Sequence, residues 1–316
     1  PQPAVVATVE PGSIGDELGF QPGDRLVAVN GIRPRDLIDL RMLCGEEDLA
    51  LEVEDPDGTS HHIELEKDAD DGLGLGFTEA LFDGLKQCNN HCPFCFIDQQ
   101  PPGRRSSLYL KDDDYRLSFL YGSYLTLTNL LPADWQRIER QRLSPLFVSV
   151  HATDPALRSQ LLVNERAGQI LDQIAWFQDK RLQIHAQVVV CPGLNDGEAL
   201  VQTLQDLGVA ENTLFIFTSD NGPEVTSIIH MRQDHDHDGA RPWRGMKRDQ
   251  WEGGHRVPFV ASWPGKIPPG TISSQTVSLT DLMATCATIV DTTLPHDAAE
   301  DSVDILPVLL NEDSGK

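Results

Sequence analysis

A chain of 316 residues with 40% hydrophobic content has enough apolar material for two or three compact units, each with a core. Its formal net charge of -24 is spread along the whole length; this excludes the basic face that phosphate-backbone binding needs, so no nucleic-acid partner is expected. No apolar run is long enough to predict a membrane-spanning helix, no signal-peptide pattern opens the sequence, and the start at Pro1 reads as a trimmed N-terminus.

Residues 1–78 are expected to form a small β-rich module. Val5, Val6 and Val9 make an apolar run that ends at Pro11-Gly12, and 26–31 alternates into a turn at Asn30-Gly31. Leu37, Leu40 and Leu43 have helical spacing, and 49–53 with 63–65 predicts a hairpin across Asp57-Gly58. The order Pro11-Gly12-Ser13, Gly23-Asp24-Arg25-Leu26, Val29-Asn30-Gly31 resembles a PDZ domain. That resemblance implies a groove in which N–H groups of a Gly-rich loop take a peptide C-terminal carboxylate while the peptide adds a strand to the sheet edge. No such loop precedes Val5. Gly74-Leu75-Gly76-Phe77 supplies one if the domain is circularly permuted, and 72–76 reads equally well as a flexible linker.

The next feature is chemical. Cys88-Asn89-Asn90-His91-Cys92-Pro93-Phe94-Cys95 has C-x3-C-x2-C spacing, and Cys44, Cys191 and Cys286 are scattered singly. Three thiolates on one loop can each hold one iron of a cubane cluster and leave the fourth iron open. A zinc or disulfide loop is the alternative, and a zinc site wants a fourth ligand at a second paired position.

The spacing resembles the radical SAM signature. With 82–87 before it, 96–105 after it, 114–122 and Thr126-Leu127-Thr128-Asn129, the segment looks like a family of PDZ-linked radical SAM proteins as far as about Leu207. The resemblance implies a 4Fe–4S cluster on Cys88, Cys92 and Cys95. It also implies S-adenosylmethionine on the open iron, whose reductive cleavage yields a deoxyadenosyl radical. Phe94 matches an aromatic position beside the adenine, and Thr126 and Asn129 stand where the amino group of the cofactor is held, although the usual Gly-Gly-Glu is absent.

The middle segment predicts parallel β/α units. Residues 117–127, 146–150 and 184–190 read as strands, the last of them buried; helices are expected from Pro132, from Asp154-Pro155, over 168–177 and over 196–207. Ligands of such sheets collect at strand C-termini, near 126–129, His151 and Cys191. His151 reads first as a hydrogen-bonded structural histidine, and Cys191 as a small packed residue. The radical SAM pattern stops after what would be the fourth of the family's six strands, which leaves a truncated barrel open on one side.

From about Glu211 a different pattern begins. The stretches 213–223, 247–258, 263–268 and 279–285 are similar, in order, to the C-terminal part of the sulfatase catalytic domain. The resemblance implies calcium at Asp220 and Asn221 and a sulfate contact at Lys247. The C/S-x-P-x-R nucleophile motif and the N-terminal aspartate pair of that family are missing, so turnover is not expected. His230, Asp234, His235, Asp236, His237 and Asp238 read as an exposed polar loop.

The expected architecture is therefore α/β throughout: a PDZ-like domain at 1–78, a truncated radical SAM core at 79–207 and a sulfatase-like fragment at 208–316, joined as a chimera. The reduced thiols of an iron–sulfur site favour a cytoplasmic setting.

Overall fold

The computed structural model describes residues 2–312. Contacts divide the chain into two compact units, Pro1–Thr203 and Leu204–Lys316.

In the first unit, β1 (Ala4–Val9), β2 (Arg25–Val29), β3 (Asp48–Glu54), β4 (Ser60–Glu66) and β5 (Leu75–Phe77) form one antiparallel sheet in the order β4-β3-β2-β1-β5. Ala4, Val6, Leu26, Leu49, Leu51 and Val53 point from it into a core that also holds Phe20 and Leu40. The short α1 (Ile14–Glu17) is capped by Ser13, and α2 (Leu37–Leu43) by Asp36. β5 lies at the sheet edge, so 74–77 belongs to the sheet and is not a free linker.

The following segment contains α3 (Tyr115–Tyr121), β6 (Tyr124–Leu125), α4 (Pro132–Arg140), β7 (Leu146–Ser149), α5 (Pro155–Leu162), α6 (Ile170–Asp179) and β8 (Ile184–Gln187). The strands make a parallel sheet in the order β6-β7-β8. Residues 117–127 are thus not one strand. The Asp114 carboxylate accepts from Arg116 N–H at the helix start and the turn closes at Gly122, so local capping wins over the apolar β-like composition. Among the described residues the parallel sheet has three strands, not four, and does not close into a barrel. Central β7 is buried at Leu146 and Val148. β8 is an edge with exposed His185 and Ala186, because no strand lies beyond it to cover the run that was expected to be buried.

The second unit is α/β on a smaller scale. The helix α7 (Glu198–Asp206) spans the division between the units. After it come β9 (Phe215–Thr218), α8 (Val225–His235), α9 (Glu252–His255), β10 (Phe259–Ser262), α10 (Leu282–Ile289) and α11 (Leu306–Leu309). β9 pairs antiparallel with β10 in a separate two-stranded sheet and does not extend the parallel sheet. The first part of the His/Asp cluster is helical, since His230, Asp234 and His235 lie on α8.

Candidate functional site

The cysteine loop lies at the C-terminal mouth of the parallel sheet. Cys88 N–H donates to the Lys111 carbonyl at 2.8 Å, and His91 N–H to the Leu162 carbonyl at the end of α5 at 3.0 Å. Between them Asn90 is almost fully buried. Its Nδ2 reaches Cys88 Sγ at 3.2 Å, Thr126 Oγ1 at 2.9 Å and Thr128 Oγ1 at 3.0 Å, while its Oδ1 accepts from Asn164 Nδ2 at 2.8 Å. This side chain therefore fixes the loop to β6 and to the segment after α5.

Below the loop, Asp113 accepts from Thr126 N–H and Thr126 Oγ1, each at 2.6 Å, and Lys111 Nζ joins the Asn90 carbonyl to Asp98. Burial raises the Asp113 carboxyl above its usual range despite the Thr126 hydrogen bonds. The Cys92 thiol is pushed up to about 11, first by burial and then by the neighbouring Cys88 and Cys95 sulfurs; Cys88 is raised by burial and then by Asp113. The Cys92 thiol thus lies within electrostatic reach of both other sulfurs of the loop. Among the described residues, no three His, Cys, Asp or Glu side chains gather as one mononuclear ion would need. A cubane asks for a different arrangement, one thiolate on each of three irons.

The residues predicted around the loop have distinct places. The Phe94 ring meets His151 edge-on at 5.0 Å between centroids; Cys92, Phe94 and Cys191 pack together against Ala152, Leu161 and Leu162. His151 Nδ1 accepts from Val189 N–H at 3.2 Å, as a structural histidine does. The Thr126 hydroxyl is committed to Asp113, Asn90 and Thr128, which makes it a strut under the loop. Asn129 Nδ2 donates to the carbonyls of Gln87 and Asp113, and its Oδ1 is a buried acceptor without a partner. Sequence reasoning missed Asn90, Asp113 and Lys111; the only hints were an amide inside the cysteine spacing and the Asp112-Asp113-Asp114 run.

The N-terminal module carries a second candidate. A cleft of about 600 Å3 is lined by β5 with the preceding 69–74, by Thr8 and Val9 of β1, and by Leu40, Arg41 and Cys44 at α2. Gly74 has a φ of 69°, and a Cβ there would sit 2.2 Å from the Ser13 Cβ, so this position needs glycine.

In the second unit, exposed Asp220 and half-buried Asn221 follow β9. Gly222 N–H donates to the Gly254 carbonyl at 2.8 Å, and Lys247 N–H to the Pro223 carbonyl at 3.0 Å, so the backbone at Lys247 adjoins the turn after Asp220-Asn221. A Cβ on Gly222 would lie 1.8 Å from the Gly253 carbonyl oxygen, which is why this close approach needs glycine.

Comparison with known proteins accounts for all three parts. Residues 5–54 match the PDZ domain model, residues 67–215 the radical SAM-like domain and residues 198–292 the sulfatase model. Segments similar to three families thus follow one another along the chain. The sulfatase-like part is 37% identical over 134 residues to an arylsulfatase of Hemicentrotus pulcherrimus, covering 42% of this chain and 21% of that protein. It is 38% identical over 111 residues to an N-acetylgalactosamine-6-sulfatase of Canis lupus familiaris, covering 35% and 20%. The chain thus spans about a fifth of the length of these curated relatives. A solved structure from a Bacteroides thetaiotaomicron glycosaminoglycan-metabolism system aligns with TM-score 0.35 and 26% identity over 46% of this chain and 36% of that one.

Proposed function

We propose that the first unit is a radical SAM protein whose Cys88, Cys92 and Cys95 hold a 4Fe–4S cluster and whose open iron takes S-adenosylmethionine. The observation that carries this reading is the three-thiol loop at the mouth of the parallel sheet, fixed by the buried Asn90. The donor set fits the group, because the crowded sulfurs favour cationic iron and each is free. When bound, the pair supplies one-electron cleavage of a sulfonium.

The chain's own residues do the rest. Asn90 orients the loop, Lys111 offsets thiolate charge, and Phe94 with Leu161 and Leu162 keeps water from Cys92. Asn129 Oδ1 is the free acceptor suited to an ammonium group, and Thr126 supports the loop from beneath.

Anaerobic reconstitution of the full chain with iron and sulfide is expected to load about four irons per chain. Replacing all three cysteines by Ala abolishes the uptake. A triple variant that still binds a full cluster overturns the assignment, and one zinc with no iron returns the zinc reading.

A second reading concerns the N-terminal module. The edge strand β5 beside α2, with the cleft between them, supports capture of a peptide C-terminus as an added strand. For the second unit, Asp220 and Asn221 are proposed as weak calcium donors beside Lys247. Sulfate-ester hydrolysis is not proposed, because the sequence lacks the nucleophile motif. The iron–sulfur reading carries with it a reducing, cytoplasmic setting.

A further inference from the structure

Arg158 on α5 is wholly buried, and its hydrogen bonds run to main-chain carbonyls: Nε to Val150 at 2.7 Å, Nη1 to Ala167 at 2.6 Å, Nη2 to Thr126 at 2.9 Å and to Ser149 at 2.8 Å. Carbonyl dipoles solvate a guanidinium but leave its charge uncompensated, and an uncompensated buried charge is costly. Three of those carbonyls lie at or just beyond the C-terminal ends of β6 and β7, where the cysteine loop sits. Leu161 and Leu162, three and four residues further along α5, are the side chains on which Cys92 packs. Thr126, whose carbonyl takes Arg158 Nη2, is bound through its hydroxyl to Asn90, and Asn90 reaches Cys88 Sγ.

We propose that Arg158 is the built-in counter-charge of the cluster site, a positioning residue that sets how readily the site accepts an electron. The inference rests on the iron–sulfur reading and adds to it a cation whose place in the fold a structural role alone leaves electrostatically unbalanced. Burial draws the guanidinium down to about 10, and the groups that oppose this are Asp113 and Cys92, the anions on the side of the site. Held by three thiolates, the oxidised cluster is a net anion. Reduction adds one electron from an external low-potential one-electron donor and makes or breaks no bond. A fixed cation nearby favours the more negative form, so it raises the reduction potential; Asp113, when ionised, acts in the opposite sense.

The test is a potentiometric titration of the reconstituted full chain, followed by the paramagnetic resonance of the reduced cluster. Iron is counted first: a wild-type chain that binds none overturns the iron–sulfur reading and this inference with it. With iron bound, Arg158→Gln keeps a donor and removes the charge, and is expected to lower the reduced-to-oxidised ratio at fixed potential at least tenfold, which is about 59 mV for a one-electron couple. Arg158→Lys keeps the charge and changes the hydrogen bonds, and is expected to stay near wild type. A Gln variant at the wild-type potential, or Lys and Gln variants shifted alike, assigns Arg158 to structure alone and overturns the inference. Should the Gln variant not fold, Arg158→Met, which also removes the charge, takes its place with the same expected shift, and a Met variant at the wild-type potential overturns the inference.

Discussion

His151 shows how one buried ring ties stability to pH. Burial, and then the Arg158 cation, lower its pKa to about 4, so the folded unit keeps the ring neutral while the unfolded chain protonates it near its ordinary value of 6.5. The unfolded state binds the extra proton, so this contribution is fully present above pH 6.5 and is lost as pH falls toward about 4. Over the full window the loss is on the order of 3 kcal/mol. Most carboxylates titrate lower, so the upper half of the window isolates the histidine. Denaturant midpoints of the first unit, followed by near-ultraviolet circular dichroism, are expected to fall from pH 6.5 to 5. His151→Asn, which suits the local φ of 64° and does not titrate, is expected to flatten that slope. An unchanged slope assigns the acid sensitivity elsewhere. At this scale the three-cysteine loop was legible because its spacing is local along the chain. Asn90 and Arg158 were not, because their partners lie up to 74 residues away in one case and are backbone carbonyls in the other.

Among the elements, α2 is tied to α3 and α4 through its N-cap. Its N-cap Asp36 is fully buried; it accepts from Ile38 N–H and Asp39 N–H, pairs with both Nη atoms of Arg137 from α4 at 2.7 Å, and is reached by Arg116 Nη1 from α3 at 3.3 Å. Although burial pulls the Arg137 guanidinium down, its pairing with Asp36 holds it above its ordinary value. Removing the carboxylate strips the helix cap and leaves Arg137 with Asp39 as its carboxylate partner, beside Gln141 and Tyr115, while Arg116 keeps Asp83 and Asp114. Asp36→Ala is expected to cost about 3–5 kcal/mol. Asp36→Asn, which retains the cap, is expected to cost less. Since α2 forms one wall of the cleft beside β5, the Ala variant should also weaken binding of a fluorescent peptide with a free C-terminus. An amidated peptide that binds as well as the free acid would remove the carboxylate-capture reading. Most elements were readable from periodicity and caps, with Pro132 and Asp154-Pro155 marking helix starts as expected. α3 was not, because its apolar composition hid a helix set by its two ends. The edge position of β8 was not either, since a strand does not encode how many neighbours it will have.

Across the whole molecule, the two units differ in how much apolar surface they bury. The first holds the cluster around Leu26 and Leu51 and a second group around Leu125, Leu146, Val148, Ile170 and Phe177. In the second, Ile228, Ala240, Trp263 and Ile305 are the buried apolar residues among those described, while Phe215, Phe217 and Val260 of the two-stranded sheet remain exposed. A sheet of two strands is marginal without further strands or a well-packed helix. The sulfatase-like segment also represents about a fifth of its relatives' length. The join itself was legible as a change of sequence pattern, whereas the pairing of β9 with β10 was not, because a strand does not encode its partner. Two unfolding transitions are therefore expected, the less stable from the second unit. Limited proteolysis should cut first between residues 208 and 249 and leave a resistant N-terminal piece that keeps Cys88, Cys92 and Cys95. Calorimetry of the full chain and mass analysis of the fragments check both points. Uniform protection across the join, with one cooperative transition, would mean that the two segments share a core and that the chain is one domain despite its composite sequence.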